Sequence, residues 1–182
     1  MHRGTVSSTL TGKVALVTGG SRGLGTAIVR RLSQDGAAVA FTYASSAQKA
    51  DEVARAIESA GGIALAIQAD SADVEAAKNA VAETVKKLGG LDILINNAGL
   101  TALASIEEFK LTDFDRLLAV SVRGVFVAVQ EAVRHMGRGG RIINIGSVNS
   151  DLVPFTGGSV RFDQSCPRRF LLAVWSGSRP PR

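Results

Sequence analysis

The sequence predicts an α/β fold in which a doubly wound parallel sheet carries helices on both faces. Short segments rich in β-branched residues alternate along the chain with longer, Ala-rich amphipathic segments, which is the pattern of successive βαβ units. Glycines, alone or in pairs, follow the predicted helices, as expected for C-terminal caps. Right-handed crossovers between such strands then place helices on both sides of the sheet.

The predicted elements run from residue 14 to residue 145. We expect strands at 14–18, 38–42, 63–68, 93–95 and 141–145 and helices at 23–35, 47–60, 74–88 and 112–136. The expected strand order is 3-2-1-4-5. The pattern is truncated after the fifth strand, so we expect that strand to be a bare edge and the chain to be marginally stable.

Length and composition favour one globular domain without membrane spans. The chain has 182 residues, enough for a sizeable core. Its apolar runs are far shorter than the roughly 18 residues of a membrane helix, and the N-terminus has no signal-like apolar region. The single cysteine, Cys166, excludes an internal disulfide and favours a cytoplasmic location. No Cys/His cluster indicates a metal site.

The basic charge is concentrated at the end of the chain. Of the net charge of +5, residues 161–182 supply +4 through five Arg and one Asp, and they also hold three of the four prolines and the only Trp. We therefore divide the chain into a domain at 1–160 and a tail at 161–182, interpreted as disordered or out of frame. Binding of nucleic acid or acidic lipid by the tail is the least favoured alternative.

A glycine-rich turn joins the first strand to the first helix. Residues 18–25 read TGGSRGLG, and glycine there permits a tight turn, close approach of a pyrophosphate and close helix–sheet packing. The helix N-terminus adds free N–H groups for phosphates. An ordinary βα turn is the alternative, but the strand–turn–helix context favours dinucleotide binding. The candidate residues are Gly19, Ser21, Arg22, Gly23, Leu24 and Gly25.

The end of the second strand indicates which dinucleotide is bound. An NAD site usually has Asp or Glu there to hold the ribose 2′-hydroxyl, whereas residues 41–46 read FTYASS, without an acid. Arg22 and the hydroxyls of Ser45 and Ser46 suit a 2′-phosphate. We therefore expect NADP rather than NAD, with Tyr43 and Ser45 lining its site. A solvated surface position is the alternative for Arg22.

The segment after the fourth strand makes the pattern specific to one family. Residues 96–99 read NNAG; together with the glycine turn, Asp70, Asp92 and Gly146-Ser147, they resemble the short-chain dehydrogenase/reductase family. The resemblance covers roughly residues 10–160 and looks most similar to 3-oxoacyl-(acyl carrier protein) reductases. It implies a Rossmann-like domain of a homo-oligomeric oxidoreductase that transfers hydride between NADP(H) and a small carbonyl or alcohol substrate.

The resemblance also implies roles for individual residues. Asp70, with Ser71 beside it, would bind the adenine amino group, although Asp70 as a cap of the following helix is the alternative. The backbone of Asn97, Ala98 and Gly99 would line the adenine ribose, while Asn96 would tie the fourth strand to its neighbours. Ile145 and Gly146 would flank the nicotinamide, and Ser147 would polarise the substrate carbonyl.

The catalytic Tyr and Lys of the family are absent. Arg161 and Ser165 stand at their expected positions, and the only Tyr in the chain is Tyr43. Arginine remains protonated in proteins, so Arg161 cannot replace the tyrosine as a general acid. Ser121 stands where the family usually has an Asn that takes part in a proton relay, so the relay is in doubt in this chain. We therefore expect this chain to be inactive as a reductase.

A frameshift explains the break better than divergence does. With one choice of synonymous codons, residues 161–167 preceded by the bases TA read Tyr-Ala-Ser-Thr-Lys-Ala-Ala in a neighbouring frame, which restores the missing motif. The alternative is a non-catalytic nucleotide-binding regulator. Residues 41–43 and 146–149 look similar to a branch of the family thought to bind cyclic dinucleotides.

Overall fold

The computed structural model describes residues 9–105, 107–146 and 159–162. The helices are α1 (Gly23–Gln34), α2 (Ala47–Ser59), α3 (Val74–Leu88), α4 (Leu111–Leu118) and α5 (Val125–His135), with a π-helical segment at Ala119–Gly124. The strands are β1 (Val14–Val17), β2 (Ala38–Tyr43), β3 (Ala64–Gln68), β4 (Ile93–Asn96), β5 (Ala102–Ser105), β6 (Arg141–Asn144) and β7 (Ser159–Phe162).

Five of the strands form one parallel sheet. Its order is β3-β2-β1-β4-β6, which confirms the Rossmann-like fold and the predicted order, β6 being the predicted fifth strand. Within the described residues β6 is an edge strand, and Ile143 on it is 45% exposed. Asn96 Nδ2 donates to Asn144 Oδ1 at 2.8 Å and ties β4 to β6, the structural role expected for it.

A second, two-stranded sheet was missed. β5 and β7 pair antiparallel, with Ala104 opposite Val160. The segment 102–105 reads ALAS and lacks the β-branched residues that mark strands, so its pairing depends on a partner more than fifty residues away. β7 also crosses the boundary predicted at residue 160, and residues 163–182 of the predicted tail lie outside the described residues.

The prediction of one continuous helix at 112–136 was wrong in detail. The helical segment begins at Leu111, changes to π-helical geometry at Ala119–Gly124 and ends at His135. Several residues of this stretch have low helix propensity, namely Val120, Val122, Gly124 and Val125. Their low propensity lowers the cost of leaving α-helical geometry. Over a single turn the apolar pattern is the same for both helix types, so periodicity could not reveal the change.

Side chains that alternate along the sheet build two separate cores. Ala15 and Val17 of β1 pack on one face with Val29 of α1 and Val53 of α2. Leu16, between them, packs on the opposite face in a cluster that includes Val81 of α3 and Ala128 of α5. This alternation follows from the period of a strand. The two helical layers leave the carboxyl ends of the parallel strands open, where the candidate site lies.

Candidate functional site

A cleft of about 390 Å³ lies at the carboxyl ends of β1 to β4, where doubly wound sheets bind ligands. Its volume is within the range of small-molecule and cofactor pockets. The lining residues come from the turns after all four strands and from α4 and the π-helical segment. They are Gly19, Ser21, Arg22, Gly23, Leu24, Gly25, Thr42, Tyr43, Ala44, Ser45, Ser46, Ala69, Asp70, Ser71, Asn97, Ala98, Gly99, Leu100, Arg116 and Val120.

Nearly all of the residues predicted to hold the cofactor line this cleft, although they come from four separate segments. Ile145 is the exception: its N–H donates to the Asn96 carbonyl at 2.9 Å and its side chain packs against the core under α1 and α2. Arg161 lies in β7. Ser147 and Ser165 lie outside the described residues, so the expected roles of Ser147 and of the two replaced positions stay predictions.

The glycine turn is packed too closely for side chains at two positions. A Cβ on Gly25 would overlap the carbonyl oxygen of Gly19 and lie 2.6 Å from Asn97 Nδ2. A Cβ on Gly20 would lie 2.5 Å from Cβ of Phe41. Gly19 also has a φ of 70°, a left-handed conformation that favours glycine. The glycines therefore let α1 approach the sheet and β4, as the spacing predicted.

The N-terminus of α1 opens into the cleft. Arg22 precedes the helix in an extended conformation and provides no side-chain cap, and the first turn contains no acidic residue. Gly23, Leu24 and Gly25, whose N–H groups begin the helix, line the cleft. The first turn of a helix has N–H groups without intrahelical acceptors and a partial positive charge. These features together suit an anionic group such as a phosphate.

Two threonines that were not predicted as site residues hold the glycine turn in place. Thr18 Oγ1 accepts hydrogen bonds from the N–H groups of Asn97 at 3.0 Å and Ala98 at 2.9 Å. Thr42 Oγ1 accepts from the Gly19 N–H at 3.0 Å. Thr18 directly follows β1 and Thr42 is the second-last residue of β2, so both lie beside a turn, which was the available signal. They join the ends of β1, β2 and β4 into one frame.

Asn97 acts through its side chain as well as its position. Its Nδ2 donates to the carbonyls of Thr18 at 2.9 Å and Gly19 at 3.0 Å. The amide therefore satisfies two backbone acceptors of the turn, which have no partners in regular secondary structure. Only a backbone role beside the ribose was predicted for Asn97. The structure adds that its side chain fixes the turn opposite.

The end of β2 carries no carboxylate. Tyr43, Ala44, Ser45 and Ser46 line the cleft there, and Arg22 is exposed at the same cleft. Asp70 is the one acidic residue among the lining residues, and it comes from the end of the next strand. The segment after β2 therefore offers hydroxyls to a ligand, and Arg22 of the glycine turn adds a cation to the lining of the cleft.

Asp70 is held in an ion pair across the cleft wall. Its Oδ2 lies 2.6 Å from Arg116 Nη2, and its Oδ1 accepts from the Ala72 N–H at 3.0 Å. Burial opposes ionisation, but these hydrogen bonds and the Arg116 charge outweigh it and lower the pKa of Asp70. The alternative role of Asp70 as a helix cap was wrong, because Asp73 caps α3 by accepting from Glu75 and Ala76.

Arg116 lines the cleft but was not predicted as a site residue. It lies on α4, forty-six residues from Asp70, so no local spacing connects the two. The only available signal was a cation on a predicted helix that crosses the ends of the strands.

Ser121, at the position where the family usually has an Asn, lies buried in the π-helical segment. Its hydroxyl has no hydrogen-bond partner among the described residues. Buried polar groups are normally paired, and π-helical turns are frequent at functional sites. Ser121 is not among the residues that line the cleft.

The described part of the chain contains neither a metal-binding cluster nor a membrane-spanning helix. Residues 9–105, 107–146 and 159–162 contain no group of three or more His, Cys, Asp or Glu side chains placed to hold a metal ion. None of the helices in the same residues has the length and apolar character of a membrane span.

A comparison with protein families matches residues 13–160 to short chain dehydrogenase. An uncharacterized oxidoreductase of Methylorubrum extorquens is 48% identical over 146 residues, which are 80% of this chain and 59% of the relative. The cyclic-di-GMP-binding biofilm dispersal mediator protein of Escherichia coli is 46% identical over 147 residues, 81% of this chain and 58% of the relative. The chain thus spans somewhat over half the length of these curated relatives.

Solved structures agree with this assignment. A short-chain dehydrogenase/reductase from Serratia marcescens superposes with a TM-score of 0.84 at 56% identity, covering 91% of this chain and 66% of the other. A short chain dehydrogenase from Burkholderia cenocepacia, solved in complex with NADP, gives a TM-score of 0.80 at 53% identity, covering 82% of this chain and 61% of the other.

Proposed function

The chain belongs to the short-chain dehydrogenase/reductase family, and on that premise we propose that its cleft holds NADP(H). The observation that carries the proposal is the lining of the cleft, which includes Arg22 of the turn after β1 and Ser45 and Ser46 after β2, while the segment after β2 supplies no carboxylate. A carboxylate there would repel a 2′-phosphate, whereas a guanidinium and hydroxyls bind one. The NADP complex of the Burkholderia cenocepacia relative supports the same choice.

The rest of the cleft fits the other parts of the dinucleotide. The uncapped first turn of α1 and the close-packed glycines would hold the pyrophosphate. The backbone at Asn97, Ala98 and Gly99 would line the adenine ribose, and Asp70 would accept a hydrogen bond from the adenine amino group. Ile145 would lie towards the nicotinamide only if that group extends beyond the cleft past β4, because Ile145 does not line it.

We propose that the reaction inherited from the family is the reduction of a small carbonyl substrate. NADPH supplies the hydride when it is bound. In this chain Ser147 would polarise the carbonyl oxygen by hydrogen bonding, but the proton must come from a general acid. Arg161 cannot supply it, because its guanidinium remains protonated, and Ser165 cannot provide the positive charge of a lysine. We therefore propose that this chain binds NADP(H) and turns over little or nothing.

The domain at 1–160 would then be an incomplete family domain, followed by a frameshifted tail. A parent protein with the motif restored would be a cytoplasmic homo-oligomeric reductase. The gene sequence across codons 158–168 tests this part directly: codons that yield Tyr and Lys in a neighbouring frame support the frameshift, and codons that cannot do so contradict it.

A non-catalytic regulator is the second candidate function. Two observations favour it: the cleft suits a nucleotide, and residues 161 and 165 are not the Tyr and Lys that catalysis needs. The Escherichia coli relative, named as a cyclic-di-GMP-binding mediator, supports a nucleotide ligand other than NADP. A cyclic dinucleotide also carries phosphates that the α1 N-terminus could hold.

An activity assay with matched chains separates these candidates. Oxidation of NADPH is followed at 340 nm with a panel of small ketones and quinones, for this chain and for the in-frame protein. We expect turnover by the in-frame protein and none by this chain. Binding of cyclic-di-GMP to this chain, with no binding of NADPH, would instead support the regulator and refute the proposed NADP(H) site.

A further inference from the structure

Three consecutive residues after β3 are each held by the helical segment that crosses them. Arg116 Nη2 lies 2.6 Å from Asp70 Oδ2. Arg123 Nη2 donates to the Ala72 carbonyl at 3.2 Å. Gly124 packs so closely that a Cβ on it would overlap the carbonyl oxygen of Ser71. The loop therefore has separate contacts at residues 70, 71 and 72, all from one stretch of α4 and the π-helical segment.

We propose that these contacts form a clamp in which Arg116 is a positioning residue for the base of the bound nucleotide, holding the Asp70 carboxylate at the cleft wall. The proposal rests on the proposed function, since it names the adenine end of the same cleft. Arg116 acts through Asp70 and does not itself bind the nucleotide.

The geometry of Asp70 shows why a clamp is needed. Its side chain is 39% exposed, so its orientation is not set by packing. The Ala72 N–H fixes one oxygen and Arg116 fixes the other, leaving the remaining lone pairs of a planar, oriented carboxylate available as acceptors. A donor such as an exocyclic amino group can then bind without the entropic cost of ordering the Asp70 side chain at the time of binding.

The charge of Arg116 serves the same end. An unpaired carboxylate in this cleft would repel the phosphates of a dinucleotide, and Asp70 is the one acidic residue of the lining. Exposed ion pairs contribute little to folding stability, and this pair is 47% exposed on the Arg116 side. Its effect is therefore expected on ligand binding rather than on the unfolding of the chain.

The test compares NADPH with its hypoxanthine analogue, in which an oxo group replaces the adenine amino group. Titrations followed by nucleotide fluorescence are made on the full chain and on Arg116→Ala and Arg134→Ala. Arg134 is the matched control, because it forms a 2.8 Å ion pair with Glu131 on α5 and does not line the cleft. We expect the full chain and Arg134→Ala to prefer NADPH about tenfold, equivalent to one well-made hydrogen bond, and Arg116→Ala to lose most of that preference.

A double-variant cycle separates positioning from direct contact. If Arg116 acts through Asp70, Arg116→Ala should have little further effect on NADPH affinity in the Asp70→Asn background. Full additivity of the two losses would overturn the proposal, because Arg116 would then act on the nucleotide independently. An unchanged preference for NADPH over the analogue in Arg116→Ala would overturn it as well.

A measurement without nucleotide keeps the clamp distinct from the cofactor assignment. Amide hydrogen exchange of Ala72 and Asp73, which donate to Asp70 Oδ1 and to the Asp70 carbonyl, should be at least about fivefold faster in Arg116→Ala than in Arg134→Ala. Equal exchange in the two variants would refute the clamp. Failure of the chain to bind NADPH, with faster exchange in Arg116→Ala, would refute the proposed cofactor and leave the clamp supported.

Discussion

The two sides of the cleft are built by different means. The glycine turn after β1 is fixed by close backbone approach, with Gly25 against Gly19 and Asn97. The loop after β3 is fixed by an ion pair of partly exposed side chains, Asp70 and Arg116. Overlap with backbone cannot be relieved by rotating a side chain, whereas an exposed ion pair can be lost at small cost to stability. Substitution on the first side should therefore affect folding and binding together, and substitution on the second side should mainly affect binding.

The largest effect is expected at Gly25. Gly25→Ala places a Cβ against the Gly19 carbonyl and 2.6 Å from Asn97 Nδ2, so the turn must shift. We expect a loss of about 1–3 kcal/mol in the free energy of unfolding and at least a hundredfold loss of NADPH affinity, measured by thermal unfolding and fluorescence titration. Gly90→Ala is the control, because a Cβ there meets no atom within 4 Å. Equal effects of the two substitutions would contradict the packing argument.

An intermediate effect is expected at Thr18. Thr18→Val keeps the shape of the side chain but removes the hydroxyl oxygen that accepts from the Asn97 and Ala98 N–H groups, so two partly buried hydrogen bonds are lost. We expect a destabilisation of about 1–3 kcal/mol, seen as a lower melting temperature. In the control Thr84→Val, the lost hydroxyl only donates to a carbonyl within α3, at Ala80, so the change should be smaller. If Thr18→Val melts at the same temperature as the unsubstituted chain, Thr18 does not stabilise the glycine turn as described.

The smallest effect is the titration of Asp70. Its pKa is lowered from the ordinary value of 3.8, against the effect of burial, by the Ala72 N–H and by Arg116. A carboxyl group whose pKa is lowered on folding stabilises the protein above its unfolded pKa, and that contribution is lost as the pH falls through the lower folded value. Carbon-detected NMR should show that the pKa of Asp70 lies below 3.8 in the unsubstituted chain. In Arg116→Ala the pKa of Asp70 should be higher than in the unsubstituted chain. Identical titration in both chains would show that Arg116 does not stabilise the carboxylate.

The same contrast explains what the sequence could predict. The glycine turn is a contiguous segment whose residue types follow directly from backbone geometry, so Gly19, Gly25 and Arg22 were identified with their elements. The sheet order followed from the alternation of strands and helices. Asn97 was predicted from its motif and lines the cleft, but the hydrogen bonds from its side chain to the glycine turn were not predicted.

Long-range contacts account for what was missed. The Asp70–Arg116 pair and the β5–β7 pairing join segments far apart in the chain, and neither leaves a local period. The π-helical segment at Ala119–Gly124 was missed because it keeps the apolar pattern of an α-helix. Its proximity to residues 70–72 becomes visible only when the helix is placed across the ends of the strands.

The central claim is that Arg22 and the hydroxyl groups after β2 bind the 2′-phosphate of NADP(H). The most direct test is calorimetric titration of the chain and of Arg22→Ala with NADPH and with NADH. The account predicts that the parent chain binds NADPH at least about tenfold more tightly than NADH, a difference of roughly 1.4 kcal/mol, and that Arg22→Ala loses most of this preference while its affinity for NADH is retained. Equal affinities for the two dinucleotides in the parent chain, or a preference that survives in Arg22→Ala, would contradict it.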